Sequence, residues 1–263
     1  MNMIETIAIL GGAGRNGVPD LVERVELKMG EVVSIMGPTG SGKTTLINDI
    51  ELFAQGNTPS GRTVLFDGAP APLEYRDDPS KNPVALITQH TTFLSDLPVQ
   101  TFLAIHARVR GGGSADIERL VEETISFANE LTGEPLSAKS RMTELSGGQT
   151  RALLVADAAV VCSTPIVLLD EVENAGIHRT RAIELLRRHR KIFVFVTHDP
   201  RIALLSDSRI VMKGGSVVDH LRTTEQERFF SAKVGRLDDA MASLRDRLRG
   251  GQRLTGTELE GLS

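Results

Sequence analysis

The segment Gly37-Pro38-Thr39-Gly40-Ser41-Gly42-Lys43-Thr44 constrains this chain more than any other. It satisfies G-x-x-x-x-G-K-[ST], with an apolar strand expected before it over 31–36 and helical character after it over 44–52. The chemistry needs each part. Glycines let the backbone turn its N–H groups inward against phosphate oxygens without a Cβ in the way. The helix that follows presents the positive end of its dipole to the same anions. Lys43 supplies a point charge for β- and γ-phosphates, and the Thr44 hydroxyl is a hard oxygen ligand suited to Mg2+. Strand, glycine loop and helix in this order also call for an α/β fold.

The rest of the pattern agrees. Strands are expected over 4–10, 22–27, 61–67, 84–88, 166–169 and 192–196, with a closing hairpin of 209–212 and 216–218 across Gly214-Gly215. The runs 166–169 and 192–196 are purely apolar, as in strands buried on both faces. Helices are expected within 98–134, broken at Gly111-Gly112-Gly113, and over 148–161 and 180–189. Residues 69–83, rich in Pro and Asp, read as loop, and 11–17 as a flexible turn. Strands alternating with helices argue for a mostly parallel sheet with helices on both faces. Gly12-x-Gly14-x-x-Gly17 matches a dinucleotide fingerprint, but Pro19 and a strand-like segment follow it instead of a helix. It reads as a loop between strands.

From about residue 223 the chain changes character. Phe230, Val234, Leu237, Met241, Leu244 and Leu248 recur at spacings of 4, 3, 4, 3 and 4. This makes one apolar stripe on a helix of about 28 Å, to be packed either on its own domain or on a partner. Gly250-Gly251 ends it, and a mobile end is expected.

Composition removes several classes. The formal net charge of −4 implies no broad basic face for nucleic acid. A single cysteine, Cys162 in an apolar run, excludes a disulfide framework within one chain and reads as a small buried hydrophobe in a reducing cytoplasm. No signal peptide is visible at the start, and no run reaches the ~18 apolar residues that span a bilayer. Any membrane work would need other chains to do the spanning.

Four further motifs follow in order. Leu145-Ser146-Gly147-Gly148-Gln149 resembles the signature sequence of ABC ATPases. Ile166-Val167-Leu168-Leu169-Asp170-Glu171 is similar to their second phosphate-site strand, Gln89 stands where the family places its glutamine loop, and His198 resembles the switch histidine. The resemblance covers roughly residues 3–220. It implies a P-loop NTPase fold: a mostly parallel sheet core, an antiparallel β subdomain, and a helical signature subdomain at about 95–150. Residues 1–222 would then form the ATPase domain and 223–263 a helical extension.

The resemblance also implies roles. ATP would be held by Gly37, Pro38, Thr39, Gly40, Ser41, Gly42, Lys43, Thr44 and Thr45. Mg2+ would be held by Thr44, Gln89 and Asp170. Glu171 would polarise the attacking water, with His198 bonded to the γ-phosphate. Ser146, Gly147, Gly148 and Gln149 would cover the ATP of a second domain, paired head to tail as a homodimer or with another ABC ATPase. Catalysis would be electrostatic positioning of an in-line water.

Three departures mark this sequence. Residues 11–36 hold no Phe, Tyr or Trp to stack on adenine, and Arg15 is the candidate substitute. After Glu171 the turn runs Val172-Glu173-Asn174-Ala175-Gly176-Ile177, with Ile177 where a carboxylate is usual. Arg151 arrives one place early after the signature. The expected role is the energising subunit of a transporter, cytoplasmic and peripheral on the inner face of the cell membrane, with a separate transmembrane partner met by Phe93, Leu94 and Leu97. The alternative is a soluble ABC ATPase that assembles or remodels a cytoplasmic protein or cofactor complex.

Overall fold

The computed structural model describes residues 4–110, 116–170 and 179–253. Gly111-Gly112-Gly113, Glu171 and the turn 172–177 lie outside the described residues, as does the chain after 253. The described strands are β1 (Thr6–Leu10), β2 (Arg24–Lys28), β3 (Val32–Met36), β4 (Thr63–Phe66), β5 (Ala69–Pro70), β6 (Val84–Thr88), β7 (Ile166–Asp170), β8 (Ile192–Val196), β9 (Ser208–Lys213) and β10 (Ser216–Arg222). The described helices are α1 (Lys43–Glu51), α2 (Glu74–Asp77), α3 (Val99–Arg110), α4 (Ile117–Leu131), α5 (Gly147–Val160), α6 (Arg179–Leu186), α7 (Pro200–Leu205) and α8 (Glu225–Arg249).

One sheet runs β10-β9-β3-β8-β7-β6, parallel from β9 to β6, with β10 antiparallel at its edge. The alternating side chains of its central strands explain the two cores. Val167, Leu169, Phe193 and Phe195 face α3, α4, α5 and α6 in one cluster. Ile166, Leu168, Ile192, Val194 and Val196 face the other way, onto Leu46, Ile47 and Ile50 of α1. Both faces are covered, so these strands read as continuous apolar runs. Burying each such side chain contributes on the order of 1.5–3 kcal/mol. The second sheet, β2-β1-β4-β5, is antiparallel and packs Ile7, Ile9, Val25, Leu27, Val64 and Phe66 into the α1 cluster.

Several local expectations need correction. Residues 69–83 are not simply loop: β5 pairs with β4, and α2 buries Tyr75 against Phe53 and Phe66. Residues 11–17 are not a slack turn. A Cβ on Gly12 would sit 2.2 Å from the Ser60 carbonyl, and one on Gly14 would sit 2.4 Å from Ser216 Oγ. A further helix, α7, joins those expected, with Asp199 as its N-cap and Pro200 as its first residue. Cys162 is half-buried rather than buried. It follows α5, where Lys191 Nζ closes the helix end by donating to the carbonyls of Ala158 and Cys162. Burial pushes the Lys191 amine down to about 8.

Helix α8 forms as its spacing predicts, but its stripe does not cover its own domain. The helix meets α7, with Gly235 against the Arg201 side chain; Ser231 and Gly235 are buried, Val234 and Leu244 half-buried, and Phe230, Leu237, Met241 and Leu248 exposed. Its start is a capping box. Thr224 Oγ1 accepts from the Glu227 N–H at 3.2 Å, and Glu227 Oε2 accepts from the Thr224 N–H at 2.9 Å. Arg209 on β9 donates to Glu227 at 2.5 Å. The hydrogen bond from Arg209, helped by that from the Thr224 peptide, holds the Glu227 carboxyl down at about 2, against an ordinary 4.5. A carboxyl depressed on folding stabilises above its unfolded pKa and loses that contribution as pH falls through the folded one. Glu227→Gln should therefore lower the melting temperature at pH 7, by an amount that shrinks from pH ~4.5 and is gone near pH 2. A difference that persists undiminished at pH 2 contradicts this account of the α8 anchor.

Candidate active site

Sheet register gathers the candidate residues. Ile35 of β3 pairs with Val196 of β8, Val196 with Asp170 of β7, and Asp170 with Thr88 of β6. These four positions form one row across the carboxyl ends of the parallel strands. Gly37 lies two residues beyond the row, His198 two beyond, Gln89 one beyond, and Asp170 within it. In open parallel sheets this edge is where ligands bind. Glu171, one residue past the row, lies outside the described residues.

The loop between β3 and α1 has the backbone that phosphate requires. Gly37, Gly40 and Gly42 have φ of 156°, 75° and 97°, and Gly42 is the N-cap of α1. A Cβ on Gly42 would lie 2.8 Å from the Gly215 Cα, so this position admits glycine alone. Lys43 Nζ donates to the carbonyls of Gly37 at 2.9 Å and Pro38 at 3.2 Å, folding back over the loop it serves. Ser41 Oγ is buried and has no hydrogen-bond partner among the described residues. Thr44 and Thr45 are exposed in the first turn of α1. The Thr44 hydroxyl, the Asp170 carboxylate and the Gln89 amide are hard oxygen donors at one sheet edge. That donor set suits Mg2+.

A cavity of about 170 Å3 opens beside the loop, lined by Ala13, Gly14, Arg15, Gly42, Thr45, Pro59, Ser60 and Gly215. No aromatic side chain lines it, and Arg15 stands exposed at its rim. The cavity touches Gly42 and Thr45, so a nucleotide whose phosphates occupied the loop would have this space at its base end.

The signature segment lies elsewhere, in the helical part. Ser146 is the N-cap of α5. Its Oγ accepts from the Gln149 N–H at 3.3 Å, and its own N–H donates to Gln149 Oε1 at 2.9 Å. Among the described residues, no hydrogen bond joins Ser146, Gly147, Gly148 or Gln149 to the phosphate loop. The displaced Arg151 has a definite partner: its Nη2 donates to the Gln89 carbonyl at 2.7 Å. The signature helix and the segment after β6 are thereby tied. His106 and Asp157, 2.8 Å apart, tie α3 to α5 in the same way. His198 is exposed. The next residue, Asp199, caps α7, and Thr197 before it is buried and bonded through its N–H to the Ile35 carbonyl at 3.2 Å. Of the three proposed docking side chains, Phe93 turns inward onto Phe102, 5.0 Å between ring centroids, while Leu94 and Leu97 are exposed.

A family model described as ABC transporter matches residues 23–174. An uncharacterized ABC transporter ATP-binding protein of Methanocaldococcus jannaschii is 46% identical over 256 residues, covering 97% of this chain and 97% of its own length. A sulfate/thiosulfate import ATP-binding protein of Agrobacterium fabrum is 30% identical over 240 residues, covering 84% of this chain; the match spans 66% of that relative. Among solved structures, a dimeric ATP-binding cassette in a post-hydrolysis state with ADP and Pi has a TM-score of 0.62 and 23% identity, with 83% of this chain and 99% of that one covered. A Clostridium perfringens protein that is part of an ABC transporter complex also has a TM-score of 0.62, at 21% identity over 91% of this chain and 100% of its own.

The cavity makes Arg15 testable. A guanidinium stacked on a base adds on the order of 0.5–2 kcal/mol. Arg15→Ala should therefore weaken Mg-ATP about two- to thirtyfold by calorimetry and leave inorganic tripolyphosphate binding as it was. Unchanged ATP affinity removes Arg15 from the base site.

Proposed function

The chain belongs to the ABC transporter family of ATP-binding proteins, an ATPase family, and we propose that it powers a membrane partner by closing head to tail with a second such domain on Mg-ATP. The observation that carries this reading is the common row of Ile35, Val196, Asp170 and Thr88. It brings the phosphate loop, Asp170, Gln89 and His198 to one edge, and it leaves Ser146–Gln149 on a separate helical part. One chain thus carries two halves of different sites.

In this reading the peptide N–H groups of Gly40 and of 42–45 and the Lys43 ammonium grip the β- and γ-phosphates. Thr44, Gln89 and Asp170 would hold Mg2+, which supplies charge neutralisation on the phosphate oxygens. Glu171 accepts a proton from the attacking water, and His198 donates a hydrogen bond to the γ-phosphate. The first-turn N–H groups of α5, at Gly147 and Gly148, cover the γ-phosphate of the opposite chain, where a helix N-terminus favours an anion. Arg151 links that helix to Gln89, so closure on nucleotide moves the segment that carries Leu94 and Leu97. Those two exposed side chains are the proposed contact with the membrane subunit.

No helix among the described residues is long and apolar enough to cross a membrane. The chain is proposed to work in the cytoplasm, peripheral to the inner face of the cell membrane. Import, as named for the Agrobacterium relative, is the direction this reading favours.

The test is Glu171→Gln, carrying a tag and extracted from membranes in detergent. It should bind ATP, turn it over at least about a hundredfold more slowly, and run as a dimer that co-purifies with a polytopic membrane protein. Native turnover in this variant overturns the role of Glu171. Recovery with soluble partners alone overturns the transport reading.

A further inference from the structure

Arg62 is fully buried and has no part in the reaction described above. Its guanidinium is spent on four bonds. Nε and Nη2 each donate to the Asp20 carboxylate at 2.8 Å, and Nη1 donates to Asp49 Oδ2 at 3.2 Å. Nη2 also donates to the Gly215 carbonyl at 2.8 Å. Both carboxylates are buried as well. Three charges with a net of one negative are costly to hold out of water, and apolar side chains of similar volume often replace such clusters without loss of stability. What the cluster connects therefore bears on why it is there.

The cavity beside the phosphate loop has four walls from distant stretches: 13–15, 59–60, Gly42 with Thr45, and Gly215. Arg62 reaches each in one or two steps. Asp20 accepts from the Gly12 N–H at 2.9 Å and from the Val217 N–H at 2.7 Å, which fixes the first wall against the β9–β10 turn. Asp49 accepts from Thr58 Oγ1 at 2.7 Å and Ser60 Oγ at 2.8 Å, which fixes the second. Asp49 is itself on α1, the helix of the third. The carbonyl of Gly215 is the fourth, and the Gly215 N–H donates to the Ser41 carbonyl of the phosphate loop at 2.8 Å. The walls have no slack: a Cβ on Gly12 would meet Arg62 Cγ at 2.9 Å.

We propose that Arg62 is a positioning residue for ATP: held by Asp20 and Asp49, it sets the spacing of the four cavity walls and so the placement of the base end relative to the phosphate loop. The proposal rests on the reading that this cavity takes the base end of the nucleotide. A lysine cannot replace the planar fork, because one ammonium cannot bond Asp20 at two points and reach Asp49 and Gly215 together.

The experiment uses the full chain with Arg62→Lys and Asp49→Asn. It compares ATP with inorganic tripolyphosphate, which lacks a base. In Arg62→Lys the KM for ATP should rise about tenfold, the loss falling on KM rather than kcat, while inhibition by tripolyphosphate is retained. Asp49→Asn keeps the side-chain shape but turns one acceptor oxygen into an NH2 donor and removes the charge facing Arg62, and should move the same way by a smaller factor. A folded Arg62→Lys with native ATP KM overturns the proposal, and so does equal weakening of ATP and tripolyphosphate. If Arg62→Lys does not fold, Asp49→Asn decides by the same criteria. If the unaltered protein binds ATP no better than tripolyphosphate, the base-cavity reading itself fails, an outcome distinct from native behaviour in the variants.

Discussion

The structure turns on a short loop whose peptide groups must point at an anion while its glycines are pressed against the rest of the protein. Gly42 starts α1 in a left-handed conformation and lies so close to Gly215 that no side chain fits. β3 delivers the chain into this loop, and α1 carries it away. β3 is held between two cores, one on each face of the parallel sheet, and α1 packs into one of them. The phosphate-binding geometry is thus paid for by burial of Val33, Ile35, Leu46, Ile47 and Ile50. Those residues make no contribution to the chemistry, yet they fix where the loop can be.

Around that loop the protein uses buried polar links where a flexible element must keep its place. Burial pushes the Asp20 carboxyl up, but hydrogen bonds from Arg62, Gly12 and Val217 outweigh it and hold the group below the usual carboxylate range. Breaking a buried ion pair of this kind costs on the order of 3–5 kcal/mol. The Arg151 bond to the Gln89 carbonyl is exposed, and an exposed link contributes far less. The contrast is in how each is held: the walls of the cavity beside the phosphate loop meet through a buried ion cluster, whereas α5 and the segment after β6 meet through an exposed bond.

Much of this was legible in the sequence because the informative signals are local. The phosphate loop, the apolar runs of β7 and β8, and the Leu145–Gln149 signature are each readable within a few residues. The 4-3-4 spacing of the tail does form a helix. Its packing was not legible: among the described side chains of α8 the buried ones are Ser231 and Gly235, small residues that an apolar pattern overlooks. The Asp20–Arg62–Asp49 cluster was missed for a different reason. Arg62 lies 42 residues from Asp20 and 153 from Gly215, and a lone arginine after Ser60-Gly61 has no periodicity to betray its burial. Gly12 and Gly14 suggested looseness because glycine frees a backbone, whereas here it permits close approach. β5 and α2 were hidden by Pro and Asp, whose turn preference was overridden by pairing with β4 and by the cluster of Tyr75 with two phenylalanines.

The phosphate loop is the proposed seat of nucleotide affinity. Titration calorimetry of Mg-ATP into Lys43→Ala, with the fold verified by circular dichroism, addresses this most directly. The ammonium that now rests on the Gly37 and Pro38 carbonyls would be absent, and affinity should fall about a hundredfold or more. A folded Lys43→Ala that binds Mg-ATP as tightly as the unaltered protein would contradict the account.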